Sequence, residues 1–484
     1  MRSLTIRLFV LFTLWANALP AQITWRRTYG GFGSEDAYSV RQTADGGYMV
    51  AGSTGSLGLG GGDIYVIRID EYGTPLWSRT YGGLGVQRGV SCRELVDGFI
   101  IAGTTNAGVH GGYDMLLIRT DVQGLPIWER NYGTADWDIC NAMDVLADGF
   151  VLGGMSYGTG NPVGLAYVVR TDQNGDVAWT ASTGGPYRTE CSGISVTSDQ
   201  GFILAGGTGT ATGYDDGFLT KLDQSGQEVW TTYVGGDSLD HCSSVLETTN
   251  GDLVACGSTH SENPFLQIHL VSLDADGQFL WEQFIGNVAD AGGAEIRSAP
   301  SGGFVFTGYN TLNLGSRDMI LTVTDGGGWF QFGNNFGNGA PADGYSVDPT
   351  DDGGYVVAGW AENYGPGLRS VYVVKTDANG QTASLDVDTY LDPLPVPDLT
   401  SSSEQGQLWP SALSPGDPLH LRLNVPPGNA KAQVFDLRGT VVATFPVQQQ
   451  ETTTHLPDLA PGHYSLVVAD GGGLTFRSRF IVVQ

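Results

Sequence analysis

The sequence predicts an all-β chain, a seven-bladed β-propeller followed by a small antiparallel β-sandwich. Three residue columns carry that prediction. Trp77, Trp128, Trp179, Trp230 and Trp281 stand 51 residues apart, with Trp25 lying 52 before Trp77. Asp70, Asp121, Asp172, Asp223, Asp274, Asp325 and Asp377 hold the same register, and each is followed three positions later by glycine. A small residue followed by glycine recurs from Ala51-Gly52 to Ala358-Gly359. Seven copies in one register define a repeat architecture.

Each repeat holds four short runs rich in Val, Ile, Tyr and Thr. In the first they are Ala37 to Thr43, Gly47 to Thr54, Asp63 to Asp70 and Leu76 to Tyr81. The alternation in Tyr65-Val66-Ile67-Arg68-Ile69 suits a strand, and Gly-rich turns separate the runs. Four strands per repeat of this length make a propeller blade. In Asp-x-x-Gly the carboxylate bonds back to the backbone while glycine takes positive φ, as a tight hairpin requires. The richer versions, Asp172-Gln173-Asn174-Gly175-Asp176 and Asp274-Ala275-Asp276-Gly277, also raise calcium as a ligand. Asp121-Val122-Gln123-Gly124 holds the same place without extra oxygens, which favours the turn. No other cofactor is indicated.

Counting aromatics predicts how the ring closes. Position seven after the repeat Asp is aromatic in six copies, ending at Phe332, and Asp377 has no such follower. Trp25 is left over. The N-terminal segment is therefore expected as the outer strand of the last blade, paired with Val371 to Asp377. That pairing removes an open edge.

Composition bounds the function. The chain has 484 residues, 73 of them glycine, and a net charge of −28, which argues against nucleic acid as a partner. Residues 1–21 read as a signal peptide, with Arg2 and Arg7, an apolar stretch and small residues up to Ala21. No other stretch is apolar enough to span a membrane. The expected domains are this leader, the propeller over 22–382, a Pro- and Ser-rich linker over 383–406 and a C-terminal sandwich over 407–484.

Five cysteines in an exported chain invite disulfides. Register points instead to buried free thiols. Ala37, Gly89, Cys140, Cys191, Cys242, Gly293 and Gly344 form one column of small residues on the innermost strand, and Cys92 and Cys256 also take small or apolar places. A thiolate metal site at Cys140, Cys191 and Cys242 is the sharper alternative.

One step before that column stand Asp36, Arg88, Ile139, Glu190, His241, Gly292 and Asp343. Asp36, Arg88, Glu190, His241 and Asp343 are the candidate binding residues, expected to ring the mouth of the axial channel. Trp137, Tyr157, Tyr187 and Tyr214 are placed on the same face and suit stacking on sugars or peptides. No Gly-x-Ser-x-Gly elbow or His-Glu-x-x-His pair appears.

The C-terminal segment carries a specific likeness. Trp409-Pro410-Ser411-Ala412, Leu419 to Leu423, Ala432 to Gly439, Leu459 to Leu466 and Arg479 to Val483 resemble, in order and spacing, the type A sorting domain of Bacteroidetes type IX secretion. The family opens with aromatic-Pro-Asn-Pro, where this chain has Ser411 and Ala412. The resemblance implies export through the type IX apparatus to the cell surface or medium. The blades also resemble quinoprotein-like propellers, whose Asp-x-x-x-Gly-x-x-x-Trp motif is one residue longer. The expected function is a non-enzymatic module binding extracellular glycan, peptide or protein. The alternatives are a polysaccharide hydrolase or lyase using Asp36, Glu190 and Asp343, and a purely structural surface component.

Overall fold

The computed structural model describes residues 22–391 apart from 59–60, 84, 159, 161–162, 212, 287, 313–315, 338, 366 and 384–386, and, further on, 406–409, 412–414, 417–423, 430–435, 441–457, 459, 462–470 and 473–482. The leader over 1–21 and residues 392–405 of the expected linker lie outside the described residues. Every described element is a strand, so no helix among them is long and apolar enough to cross a membrane.

Seven sheets form the ring. Blade 1 comprises Glu35–Gln42, Tyr48–Thr54, Asp63–Ile69 and Pro75–Tyr81, paired antiparallel in sequence order. Blades 2 to 6 repeat the pattern, beginning at Gln87, Asp138, Thr189, Asp240 and Ala291. Blade 7 is built from Ala342–Pro349, Tyr355–Ala361, Ser370–Thr376 and, from the other end of the chain, Trp25–Gly30. Trp25 stands opposite Lys375 and Tyr29 opposite Val371, so the ring closes as the leftover tryptophan predicts. Within the stretch read as linker, Asp388–Leu391 adds a fifth strand, parallel to Trp25–Gly30, with Tyr390 stacked 5.6 Å from Tyr29. That corrects the reading of 383–406 as uniformly linker: a short β-forming run finds an unpaired edge.

The first strand of each blade touches the first strands of both neighbours, which places these strands innermost. Apolar side chains of adjacent blades fill the seams, as where Ile100, Leu117, Met143 and Leu152 share one cluster. At the outer edge, each Asp-x-x-Gly turn docks on the aromatic of the preceding blade. A methyl carbon on Gly226 would stand 2.7 Å from the Trp179 ring, and one on Gly277 2.7 Å from Trp230. Trp179 and Trp230 donate their indole N–H to Gln224 O and Ala275 O in those turns. The repeated glycine thus serves twice, at positive φ and as the flat floor beneath an indole.

All seven repeat aspartates accept, at Oδ1, the amides two and four residues on, such as Asp172 from Asn174 and Asp176 at 2.8 and 2.9 Å. The carboxylate is engaged by its own turn. A second device recurs in five blades. Arg68, Arg119, Arg170, Lys221 and Lys375 reach from the third strand to Asp45, Asp97, Asp148, Asp199 and Asp352 in the first hairpin of the same blade.

The C-terminal strands form two sheets. One holds Gly406–Trp409, Pro418–Leu423 and Glu451–His455; the other holds Ala412–Leu413, Gly473–Val482, Gly462–Asp470, Ala430–Phe435 and Val441–Val447. Leu419, Leu421 and Leu423 of the first pack with Ala432, Val434, Leu466 and Val468 of the second, giving a small sandwich with its own core.

Candidate functional site: an axial cup

A β-bulge interrupts the first strand of every blade at the same place. Each register shift skips one residue: Tyr38, Val90, Asn141, Ser192, Ser243, Ala294 and Tyr345. A bulge re-aims its side chain. All seven skipped residues line the axial channel and form the ring between its two chambers.

The wider chamber has a volume of about 570 Å³ and opens at the loop-rich mouth. Arg88, Glu190, His241 and Asp343 of the expected ring are in its wall, with Tyr38, Tyr309, Arg317 and Tyr345. Asp36 is not. It turns to Arg369, whose Nη1 lies 3.0 Å from its Oδ1. Trp137, Tyr157, Tyr187 and Tyr214 are also outside the wall. Trp137 packs edge-on between Tyr113 and Tyr157 at 5.2 and 6.5 Å.

Guanidinium groups and rings alternate around the mouth. Tyr38 and Tyr345 stack at 5.1 Å, and Arg88 lies over Tyr38 with its Cζ 4.1 Å from the centroid. Arg317 covers Tyr309 at 4.0 Å and Arg369 covers Trp360 at 3.8 Å. Trp360 Nε1 donates to the Tyr345 hydroxyl at 3.1 Å and fixes that ring. Such cation–π contacts contribute about 0.5–2 kcal/mol each and hold the guanidinium plane still.

The carboxylates are not equivalent to Arg88 in freedom. Asp343 Oδ2 accepts from Arg317 Nη1 at 3.0 Å, and burial raises its pKa against the pull of Arg317. Glu190 is held by Arg188 and by Asn141 Nδ2, the latter at 2.8 Å. His241 shares a hydrogen bond with Ser192 Oγ at 3.0 Å, and burial lowers its pKa, favouring the neutral ring. Arg88 is exposed, and its guanidinium has neither a carboxylate nor a hydrogen-bond partner among the described residues.

Beyond the bulge ring the second chamber, about 110 Å³, is lined by a charged network that includes Arg41, Arg93, Glu295 and Arg297. Arg41 of blade 1 pairs with Glu295 of blade 6, which also accepts from Ser346 Oγ at 2.7 Å, Val347 N at 2.9 Å and Arg297 at 2.8 Å. Burial next to Arg41 lowers the pKa of Arg93, and burial raises that of Asp348. The five cysteines are free and buried, and burial pushes Cys140 and Cys242 up to about 12. Among the described residues no three His, Cys, Asp or Glu side chains converge as a metal cluster.

Sequence reasoning missed the bulge residues, Tyr309 and Arg317. The bulge column stands 13 residues after each repeat aromatic, but its residue types share nothing, so only the period marks it.

Among solved structures, the extracellular domain of the two-component system BT4673 from B. thetaiotaomicron is similar at 9% identity and a TM-score of 0.43, covering 93% of this chain and 57% of that one. This chain thus spans under two thirds of that relative's length. Sqt1 from Chaetomium thermophilum is similar at 10% identity and a TM-score of 0.44, over 74% and 99% of the two chains. PorZ, a surface component of the type IX secretion system of Porphyromonas gingivalis, is similar at 11% identity and a TM-score of 0.30, over 94% and 74%. No curated protein matches the sequence. Residues 60–306, just over half of the chain, match the family model described as outer membrane protein assembly factor BamB, and the chain belongs to that family of β-propellers.

Proposed function

We propose that the protein is an extracytoplasmic, non-catalytic binding propeller whose axial cup takes the carboxylate of an acidic glycan or peptide. The observation that carries this reading is Arg88: a guanidinium seated over Tyr38 in the wall of a cup of about 570 Å³, with no carboxylate partner among the described residues. The volume suits a small ligand. A planar guanidinium binds carboxylate through paired N–H donors. The stacked Tyr38 and Tyr345 offer an apolar face to a sugar ring or side chain.

A hydrolase working from Asp36, Glu190 and Asp343 fits less well. Glycoside cleavage needs two carboxyl groups free to flank one bond. Here each of the three is occupied by an arginine. A purely structural propeller expects a flat upper face where this one has a cup.

An array of acidic and neutral oligosaccharides and of peptides with free or amidated C-termini tests the reading. Binding confined to carboxylate-bearing members, lost in Arg88→Ala, supports it, and the two halves of the array separate glycan from peptide. Binding indifferent to the carboxylate, or turnover of a bound glycan, overturns it.

Export belongs to the same proposal. The leader over 1–21 and the sorting-domain likeness over 407–484 support passage through the periplasm and the type IX apparatus. Deleting 407–484 is expected to move the protein from surface or medium to the periplasm. Unchanged surface delivery contradicts that route. In the Asp-x-x-Gly turns Oδ1 of each repeat Asp already accepts two amides, which favours the turn role over a calcium ligand there.

A further inference from the structure

The seams between blades repeat one pair of positions near the mouth. The first comes seven residues before the repeat Asp, the second ten residues after the repeat aromatic. Between blades 1 and 2 the pair is Asp63 and Gln87; with its amide nitrogen turned inward, Gln87 donates to Asp63 Oδ1 and Gly62 O at 3.2 Å each. The corresponding pair between blades 2 and 3 is Asp114 and Asp138. Neither is an amide, and both are fully buried.

The two carboxyl groups face each other across Gly133. A methyl carbon on that glycine would stand 2.6 Å from Asp138 Oδ2 and 2.9 Å from Asp114 Oδ1. One oxygen of each carboxyl is satisfied: Asp114 Oδ2 accepts from His110 N at 3.1 Å, and Asp138 Oδ2, the oxygen on the Gly133 side, accepts from Thr134 N and Oγ1 at 2.6 and 2.9 Å. Among the described residues the Oδ1 atoms of both are buried without a hydrogen-bond partner. His110 Nδ1 lies 3.4 Å from Asp114 Oδ2, but its side chain is 41% exposed, and an imidazole carries at most one charge against two. Two adjacent buried carboxylates need a counter-charge or a shared proton.

We infer that the seam between blades 2 and 3 binds a hard divalent cation, calcium, through Asp114 and Asp138. An all-oxygen set completed by backbone carbonyls and water is calcium chemistry and not that of zinc. The ion ties the third strand of blade 2 to the first strand of blade 3, as the Gln87 amide ties blade 2 to blade 1.

The test uses the full chain stripped with chelator. Calcium should raise the melting temperature saturably. At about 100 times the dissociation constant the folding equilibrium should shift about 100-fold. Terbium should give saturable emission sensitised through Trp137, whose backbone adjoins Asp138 and whose ring lies 5.2 Å from Tyr113. Asp138→Gln, which copies the seam of Gln87, and Asp114→Asn should abolish both responses. Should either fail to fold, Trp137→Phe should lose the emission and keep the calcium-dependent melting. Equal melting with and without calcium, or a calcium response that survives both carboxylate substitutions, overturns the inference.

Discussion

Replacing Gly277 by alanine separates the two duties assigned to the repeat glycine. Gly277 has φ of +77°, and a Cβ there would meet Trp230 at 2.7, 2.8 and 3.0 Å. Gly251, in the first hairpin of the same blade, has φ of +88°, but a Cβ there meets nothing within 4 Å. Alanine in the left-handed region costs about 1–2 kcal/mol. Overpacking a filled contact adds about 1–3 kcal/mol. Gly251→Ala should therefore lose about 1–2 kcal/mol, and Gly277→Ala about 2–5 kcal/mol. Urea unfolding of the full chain, read as a shift of midpoint at constant slope, measures both. In a Trp230→Leu background the excess at Gly277 should vanish, because the partner ring is gone. Equal losses at the two glycines, or an excess that survives Trp230→Leu, would refute the docking account.

Ser346→Ala removes a hydroxyl that accepts from Val40 N at 3.0 Å and Arg41 Nη1 at 2.9 Å and donates to Glu295. It should cost about 1–3 kcal/mol in thermal unfolding, because a buried amide is left unpaired. The five thiols should be inert to a thiol reagent in the native protein and react together on denaturation. His241 and His269 have pKa values lowered by burial from the usual 6.5. The unfolded chain therefore binds protons there first, so their share of stability is present above pH 6.5 and is lost as pH falls toward the folded values. Doubling His241→Gln with His269→Gln should flatten the melting profile on the acid side of pH 6.5; an unchanged slope contradicts the assignment.

How much of this was legible follows from which interactions leave a residue-type signature. An aromatic ring against glycine at the outer edge demands Trp, or Phe332 in one blade, and Gly in every repeat, so the period, the blade count and the closure by Trp25 could be read directly. The bulge demands only a backbone shift. Tyr38, Val90, Asn141 and Ala294 occupy equivalent places with no common chemistry, so their share of the cup wall could not be read beside Arg88, Glu190, His241 and Asp343. Asp36 shows the other limit. It stands in the same column as Arg88 and Glu190, but its side chain is captured by Arg369, a contact between residues 333 positions apart. The strand Asp388–Leu391 escaped because its partner is at the opposite end of the chain.

The affinity of the best carboxylate ligand for the wild-type cup and for Arg88→Ala decides whether Arg88 holds the carboxylate. Charge-assisted hydrogen bonds of about 1.5–3 kcal/mol predict a loss of about 10- to 150-fold, with Arg188→Ala, outside the stacked tyrosines, losing far less. Equal affinity of wild type and Arg88→Ala for that ligand would contradict the account.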